Sequence, residues 1–375
     1  MGCDDILGFM RRAAVAGVTC AAFTACSLVV PLDDLGGSKD GGNDVAVEGT
    51  VIDAGPDGPP PSSVQLLVLG GDSPSGNEAS IIAADVHGDG TLGAWRTVRS
   101  LPTAITNLHG GFAIGDTVFV IANGTAISSR MRSDGTLDPW TSLTAMPDTR
   151  FINTATYSNG QVFLAGGQDG NNAYPRAVYA APVVDGGTIG SWAPTSALAA
   201  SDSGAGARSY HAAVASGGWI YLVAGMIENS AWLDSVVAAQ VTPSGLGPWT
   251  TTTKLPNAGY CPHVVAHDGR IFVLGGTLGN NAARTSYVSV ILDGGVLAPW
   301  TQSTAVDINQ ADNCGAFASY GSFVYILGGE SGGNYTDEVV FASIDSSGDV
   351  GAWAHTTPLP NGGRADALAV VVAIP

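Results

Sequence analysis

A tryptophan recurs six times at the end of a short glycine-rich turn, and this recurrence constrains the fold more than any other feature. The turns end at Trp95 (DGTLGAW), Trp140 (DGTLDPW), Trp192 (GGTIGSW), Trp249 (SGLGPW), Trp300 (GGVLAPW) and Trp353 (GDVGAW). Successive tryptophans lie 45, 52, 57, 51 and 53 residues apart, so the repeating unit is about fifty residues long. A period of that length belongs to architectures whose units bury their apolar faces against one another. A β-sandwich gives no account of it, and a β-helix needs much shorter repeats.

Each tryptophan follows an apolar run that ends in two small residues, about 25 residues on in five repeats and 17 in the second: LLVLGG (66–71), VFVIAN (118–123), VFLAGG (162–167), IYLVAG (220–225), IFVLGG (271–276) and VYILGG (324–329). Unbroken apolar strands require burial on both faces, which stacked sheets supply. A glycine pair permits a sharp exit that side chains would block. Tryptophan offers the flat area needed to fill the wedge between neighbouring sheets.

These residues resemble the kelch-repeat family, across nearly all of residues 64–375. The resemblance implies an all-β, six-bladed kelch-type β-propeller. Ala-Asn and Ala-Gly replace the glycine pair in the second and fourth repeats, and the tyrosine that kelch repeats often carry before the tryptophan is missing. Closure is legible separately. The first repeat starts at its second strand, VQLLVLGG, whereas the chain ends in RADALAVVVAIP (364–375), an inner strand with nothing after it. The C-terminal strand is therefore expected to complete the first blade and hide its edges.

The N-terminal residues read as targeting sequence. Arg11 and Arg12 precede a run of small and apolar residues ending at Cys26, a pattern of export signals too short to span a bilayer. Residues 23–26 (FTAC) resemble a bacterial lipobox, which implies lipidation of Cys26 and anchoring in a bacterial envelope, in the outer membrane. Residues 27–63 are acidic and rich in Gly and Pro, the composition of a disordered tether. The domain reading is thus signal 1–26, linker 27–63 and propeller 64–375, expected to act as a monomer.

The net charge of −18 leaves no basic stripe to neutralise phosphates, so nucleic acid is excluded as a partner. No cofactor or metal is called for: the six histidines, His87, His109, His211, His263, His267 and His355, are scattered rather than set out as ligands. Kelch-like propellers include copper oxidases of sugars and epimerases of sialic acid, so the resemblance keeps a sugar-acting enzyme as the alternative function. The leading expectation is a non-catalytic recognition or scaffolding propeller that binds a carbohydrate or protein partner through loops at one end of the ring.

Counted back from the glycine pairs, the approaches to the inner strands align as TNLH (106–109), RFIN (150–153), RSYH (208–211), GYCP (259–262), DNCG (312–315) and RADA (364–367). Arg150, Arg208 and Arg364 share one position. They would either line an electropositive mouth that grips carboxylates, or bond loop carbonyls structurally. Asn153, Tyr210, His211 and Asp366 are candidates from the same segments. Acid–base chemistry would draw on Asp312, Asp366 and Glu330. The loops after the glycine pairs add Tyr174, Trp232, Glu330 and Tyr335 as binding candidates. Cys261 and Cys314 are aligned in adjacent repeats, which makes them a candidate disulfide for an exported protein.

Overall fold

The computed structural model describes residues 63–107, 110–184, 187–199, 206–227, 231–279, 281–282, 284–308, 314–331 and 333–375. The expected export signal, the expected lipidation site Cys26, nearly all of the expected linker, His109 and Asp312 lie outside the described residues.

The repeats form six antiparallel sheets, each ordered from an inner strand outward, and together they make a six-bladed β-propeller. In blade three, for example, Thr154–Ser158 pairs with Gln161–Ala165, which pairs with Tyr179–Val184. No described helix is long and apolar enough to cross a membrane. Blade one is completed by the end of the chain. Leu368–Ile374 is its inner strand and pairs along its whole length with Ser63–Leu69, from Ser63↔Ile374 to Leu69↔Leu368. The first described strand of the propeller is Ser63–Leu69.

Side chains of the inner and second strands are almost wholly buried, as in Leu66, Phe119, Leu222 and Phe272. They pack sheet against sheet around the ring: Leu69 and Ile81 of blade one share a cluster with Phe112 and Val120 of blade two. This two-sided burial is why the strands read as unbroken apolar runs.

The recurring tryptophans sit at the outer seams, and their polar edges matter as much as their area. Five indoles donate to a carbonyl of the preceding blade: Trp95 to Thr357, Trp140 to Ser100, Trp192 to Thr144, Trp249 to Ser196 and Trp300 to Thr253, at 2.9–3.3 Å. A return bond reinforces each seam. The hydroxyls of Thr357, Thr144, Ser196, Thr253 and Thr304 donate to Leu92, Ile189, Leu246, Leu297 and Val350 of the next blade. Arg99 makes the equivalent bond to Leu137 at 2.8 Å. The turn-to-tryptophan motif is therefore a clasp. Each such bond contributes about 0.5–1.5 kcal/mol net.

The glycine pair answers a crowding problem at the opposite ends of the strands. A side chain at Gly166 would place its Cβ 2.3 Å from the His211 ring of the next blade. One at Gly167 would lie 2.7 Å from the Phe151 carbonyl of its own blade. Both glycines also have positive φ, 61° and 95°.

Closure generates a direct expectation. A chain ended at Gly363 lacks the inner strand of blade one and exposes the edge of Ser63–Leu69 and the open flanks of its neighbours. It should aggregate on expression or refolding. A monomeric truncation that unfolds cooperatively at the wild-type temperature would contradict this.

Candidate functional site

The neck of each blade, where the chain enters the inner strand, lies at the same end as the glycine pair, because Thr154 pairs with Ala165 and its counterparts do likewise. Beyond that level the two strands kink and pair again. Ala365 bridges Asp72, Phe151 bridges Gln168, and Ser209 bridges Met226. Tyr260 pairs with Thr277. The kink needs left-handed backbone on both strands. The second strand mostly uses glycine, with Ala224 at φ 55° in blade four, but the inner strand does not: Ile152, Tyr210, Cys261, Cys314 and Asp366 all have φ between 51° and 65°. A non-glycine residue in this region costs about 1–2 kcal/mol, most for β-branched Ile152.

This ring closes the axis at that end. Ile152, Tyr210, Cys261 and Cys314 form one buried cluster, with Met226 and Tyr260 packed against it. Burial, helped by the fields of Cys261, Cys314, Asp366 and Tyr174, pushes the Tyr210 hydroxyl well above the ordinary phenol range. Tyr210 is thus a neutral phenol.

Above the plug stands a crown of two-stranded hairpins. Asp72–Ser73 pairs with Gly76–Asn77, Met226–Ile227 with Ala231–Trp232, Thr277–Leu278 with Asn281–Ala282, and Glu330–Ser331 with Asn334–Tyr335. In blade three a turn held by Asp169 carries Tyr174. Blade two has no excursion. Asn123 and Gly124, at φ 53° and 74°, form a two-residue turn between its strands, the residue pair this tight hairpin favours. The crown therefore has a gap over blade two.

Aromatic and acidic groups gather on the crown. Trp232 lies against Tyr260 with ring centroids 5.1 Å apart, and Tyr260 meets Tyr210 edge-on at 6.1 Å. Phe151 is 37% exposed, and Tyr174, Trp232, Tyr260 and Tyr335 are half-buried. Burial raises the Tyr335 hydroxyl, as do the charges of Asp72, Asp366 and Glu330. Glu330 itself accepts a hydrogen bond from the Gly333 amide. Burial also raises the Asp72 carboxyl above its ordinary value, offset in part by a side-chain hydrogen bond with Asp366. A carboxyl–carboxylate bond needs one proton between its two members.

The aligned arginines do not line a mouth. Arg150, Arg208 and Arg364 are 0%, 0% and 3% exposed, and each guanidinium is spent inside its own blade. Arg208 donates to the carbonyls of Ala224 and Ser235 at 3.0 Å and to the Ser235 hydroxyl at 3.0 Å. Arg364 reaches Gly70 and Ser80, and Arg150 reaches Gly166, Ala177 and Asp148. Burial pushes the Arg208 pKa down to about 9, so it still carries its charge at neutral pH. The electropositive grip is thus corrected: these groups tie the neck to the strand ends, within blades rather than between them.

Two further candidates are also turned inward. Asn153 donates to Ile121 of blade two at 3.0 Å, and His211 bonds Thr154 of blade three at 3.1 Å. Tyr210 and Asp366 belong to the ring at the axis, whereas Tyr174, Trp232, Glu330 and Tyr335 are on the crown. Cys261 and Cys314 are thiols in one cluster. Sequence reasoning passed over Phe151, Tyr260 and Asp72. The first two were visible as large aromatics beside aligned neck positions, but Asp72 carried no local signal. Among the described residues no three His, Cys, Asp or Glu side chains converge as a metal site.

No family model matches the chain, and no curated protein matches it. Among solved structures, that of YjhT aligns with a TM-score of 0.55 and 12% identity, covering 89% of this chain and 98% of that one. The likeness is one of fold. YjhT and this chain share a propeller scaffold, and at that identity the shared scaffold carries no residue roles across.

The carboxyl pair yields a pH-dependent expectation. Folding holds Asp72 above its unfolded value of 3.8, so ionising it opposes folding. The opposition is absent below about pH 3.8, grows as pH rises through the folded value, and is complete above it. Asp72→Asn should therefore raise the urea midpoint at neutral pH and leave it near wild type in acid. An unchanged or lowered midpoint at neutral pH would contradict the assignment.

Proposed function

We propose that the protein is a non-catalytic recognition propeller of the bacterial envelope, and that it binds a carbohydrate or protein partner through the hairpin crown. The observation that carries this reading is the crown itself. Phe151, Trp232 and Tyr260 present aromatic surface on the crown, which also carries Asp72, Glu330 and the hydroxyl of Tyr335. Flat apolar faces next to hydrogen-bond acceptors are the chemistry that recognises sugar rings, whose C–H faces stack while their hydroxyls donate. Recognition residues here stand on short hairpins fixed to a rigid ring, the usual division between loops and scaffold. A carbohydrate is favoured over a sugar acid because the three arginines suited to carboxylates are committed to backbone carbonyls.

The export signal and Cys26 lipidation site supply the envelope location. Ser63 pairs with Ile374 at the end of the propeller away from the crown. A tether from Cys26 would therefore enter on the far side and leave the crown pointing off the membrane.

One observation favours a second reading, a sugar-acting enzyme: the Asp72–Asp366 pair beneath Tyr335 could hold and pass a proton. Epimerisation or oxidation of sugars by the purified protein, lost in Asp366→Asn, would replace the recognition reading.

The primary test is an array of neutral and amino-bearing glycans, probed with the full chain and with Phe151→Ala/Trp232→Ala. The double variant should lose at least tenfold in affinity with its Tm little changed, since both side chains are partly exposed. Leu292→Asn, at an exposed site on the opposite end (48% accessible), should bind as wild type. Undiminished binding by the double variant would remove the crown from the account.

A further inference from the structure

We propose that Cys261 and Cys314 are a disulfide-forming pair whose bridge staples blades five and six at the axis. Two independent features of the same seam carry the inference.

The first is the geometry of the ring at the neck. Cys261 and Cys314 occupy equivalent, adjacent positions, with φ of 51° and 65°, and share one buried cluster. The steps on either side of the Cys261–Cys314 step are within backbone hydrogen-bond reach. The Cys261 amide donates to Tyr210 of blade four at 2.8 Å, and the Asp366 amide donates to Cys314 of blade six at 3.1 Å. A step of the same size between Cys261 and Cys314 would put their Cα atoms in the range a disulfide spans, roughly 4.4–6.8 Å.

The second feature is what the seam lacks. Five tryptophans clasp the preceding blade, but the sixth does not: Trp353 Nε1 is buried and has no hydrogen-bond partner among the described residues. Trp353 belongs to blade six and would clasp blade five. At the rim this seam keeps the Thr304 hydroxyl bond to Val350 at 2.6 Å. The propeller's two cysteines thus flank the seam whose indole bond is missing. A bridge there closes a loop of 53 residues and restores at the axis what is missing at the rim.

The thiols are 0% and 1% exposed, so an external oxidant does not reach them in the closed ring. Oxidation belongs to folding, before the plug forms. A small-molecule disulfide is attacked by one cysteine thiolate, giving a mixed disulfide and releasing one thiol. The second cysteine thiolate then attacks the protein sulfur, forms the Cys261–Cys314 bond and releases the second thiol. The protein pair loses two hydrogens and two electrons, and the small disulfide gains them.

The test refolds the full chain from denaturant with oxidised glutathione, blocks remaining thiols, and maps peptides by mass under non-reducing conditions. The expected result is a linked Cys261–Cys314 peptide two hydrogens lighter than the sum of its parts. The oxidised protein should melt roughly 5 °C or more above the reduced one, an increment that Cys314→Ser abolishes. Blocked Cys261 and Cys314 in the refolded monomer, or either one joined to Cys3, Cys20 or Cys26, would overturn the proposal. The peptide map is made on the wild-type chain, so a variant that fails to fold does not obscure the result.

Discussion

Pairing of Leu368–Ile374 with Ser63–Leu69 is the interaction on which the rest of the structure depends. Blade one is assembled from residues that are farthest apart in sequence, and until they meet, blades two and six each lack a complete neighbour. A sheet buried on two faces cannot remain open on one side without exposing apolar side chains such as Leu67 and Val370, both fully buried in the ring. The seam clasps then act on an already closed circle. Thr357 and Trp95 lock blade six to blade one by the same exchange of bonds that joins the consecutive blades four and five. Closure links strands of very high sequence separation, so it should form late and limit the folding rate.

The molecule divides its residues by whether they recur. The tryptophans, their hydroxyl partners and the glycine pairs repeat from blade to blade and are consumed in building the ring. The groups that gather on the crown do not recur. Ile152, Tyr210, Asp366 and the cysteine pair Cys261 and Cys314 occupy one geometric position with four different chemistries, and the hairpins above them carry Asp72, Tyr174, Trp232, Glu330 and Tyr335 without a pattern. An asymmetric ligand surface on a symmetric scaffold requires this division, because a feature repeated six times would read the same from every side.

That division also explains how far the sequence could be read. The period, the glycine pairs and the orphaned C-terminal strand disclosed the propeller, its six blades and its closure, because each reports a local or pairwise steric demand. The neck resisted. Its three arginines were visible as an aligned set, but their direction was not, since the kink at Ile152 and its counterparts breaks the alternation of side chains that a straight strand would show. The arginines turned inward to Gly166, Ala224 and Gly70, and Phe151 beside Arg150 turned outward. The contact between Trp232 and Tyr260 joins two blades, and no spacing within one repeat discloses it.

Hydrogen exchange across residues 63–375 tests the central claim most directly. If closure makes the ring one cooperative unit, amides of Leu368–Ile374 should exchange as slowly as those of the inner strands Thr154–Ser158 and Ala212–Ser216, through the same global opening. Their denaturant dependence should match as well. Fast exchange of Leu368–Ile374 through a local opening, with the remaining inner strands still protected, would show that the ring stands without its closing strand and would contradict the account.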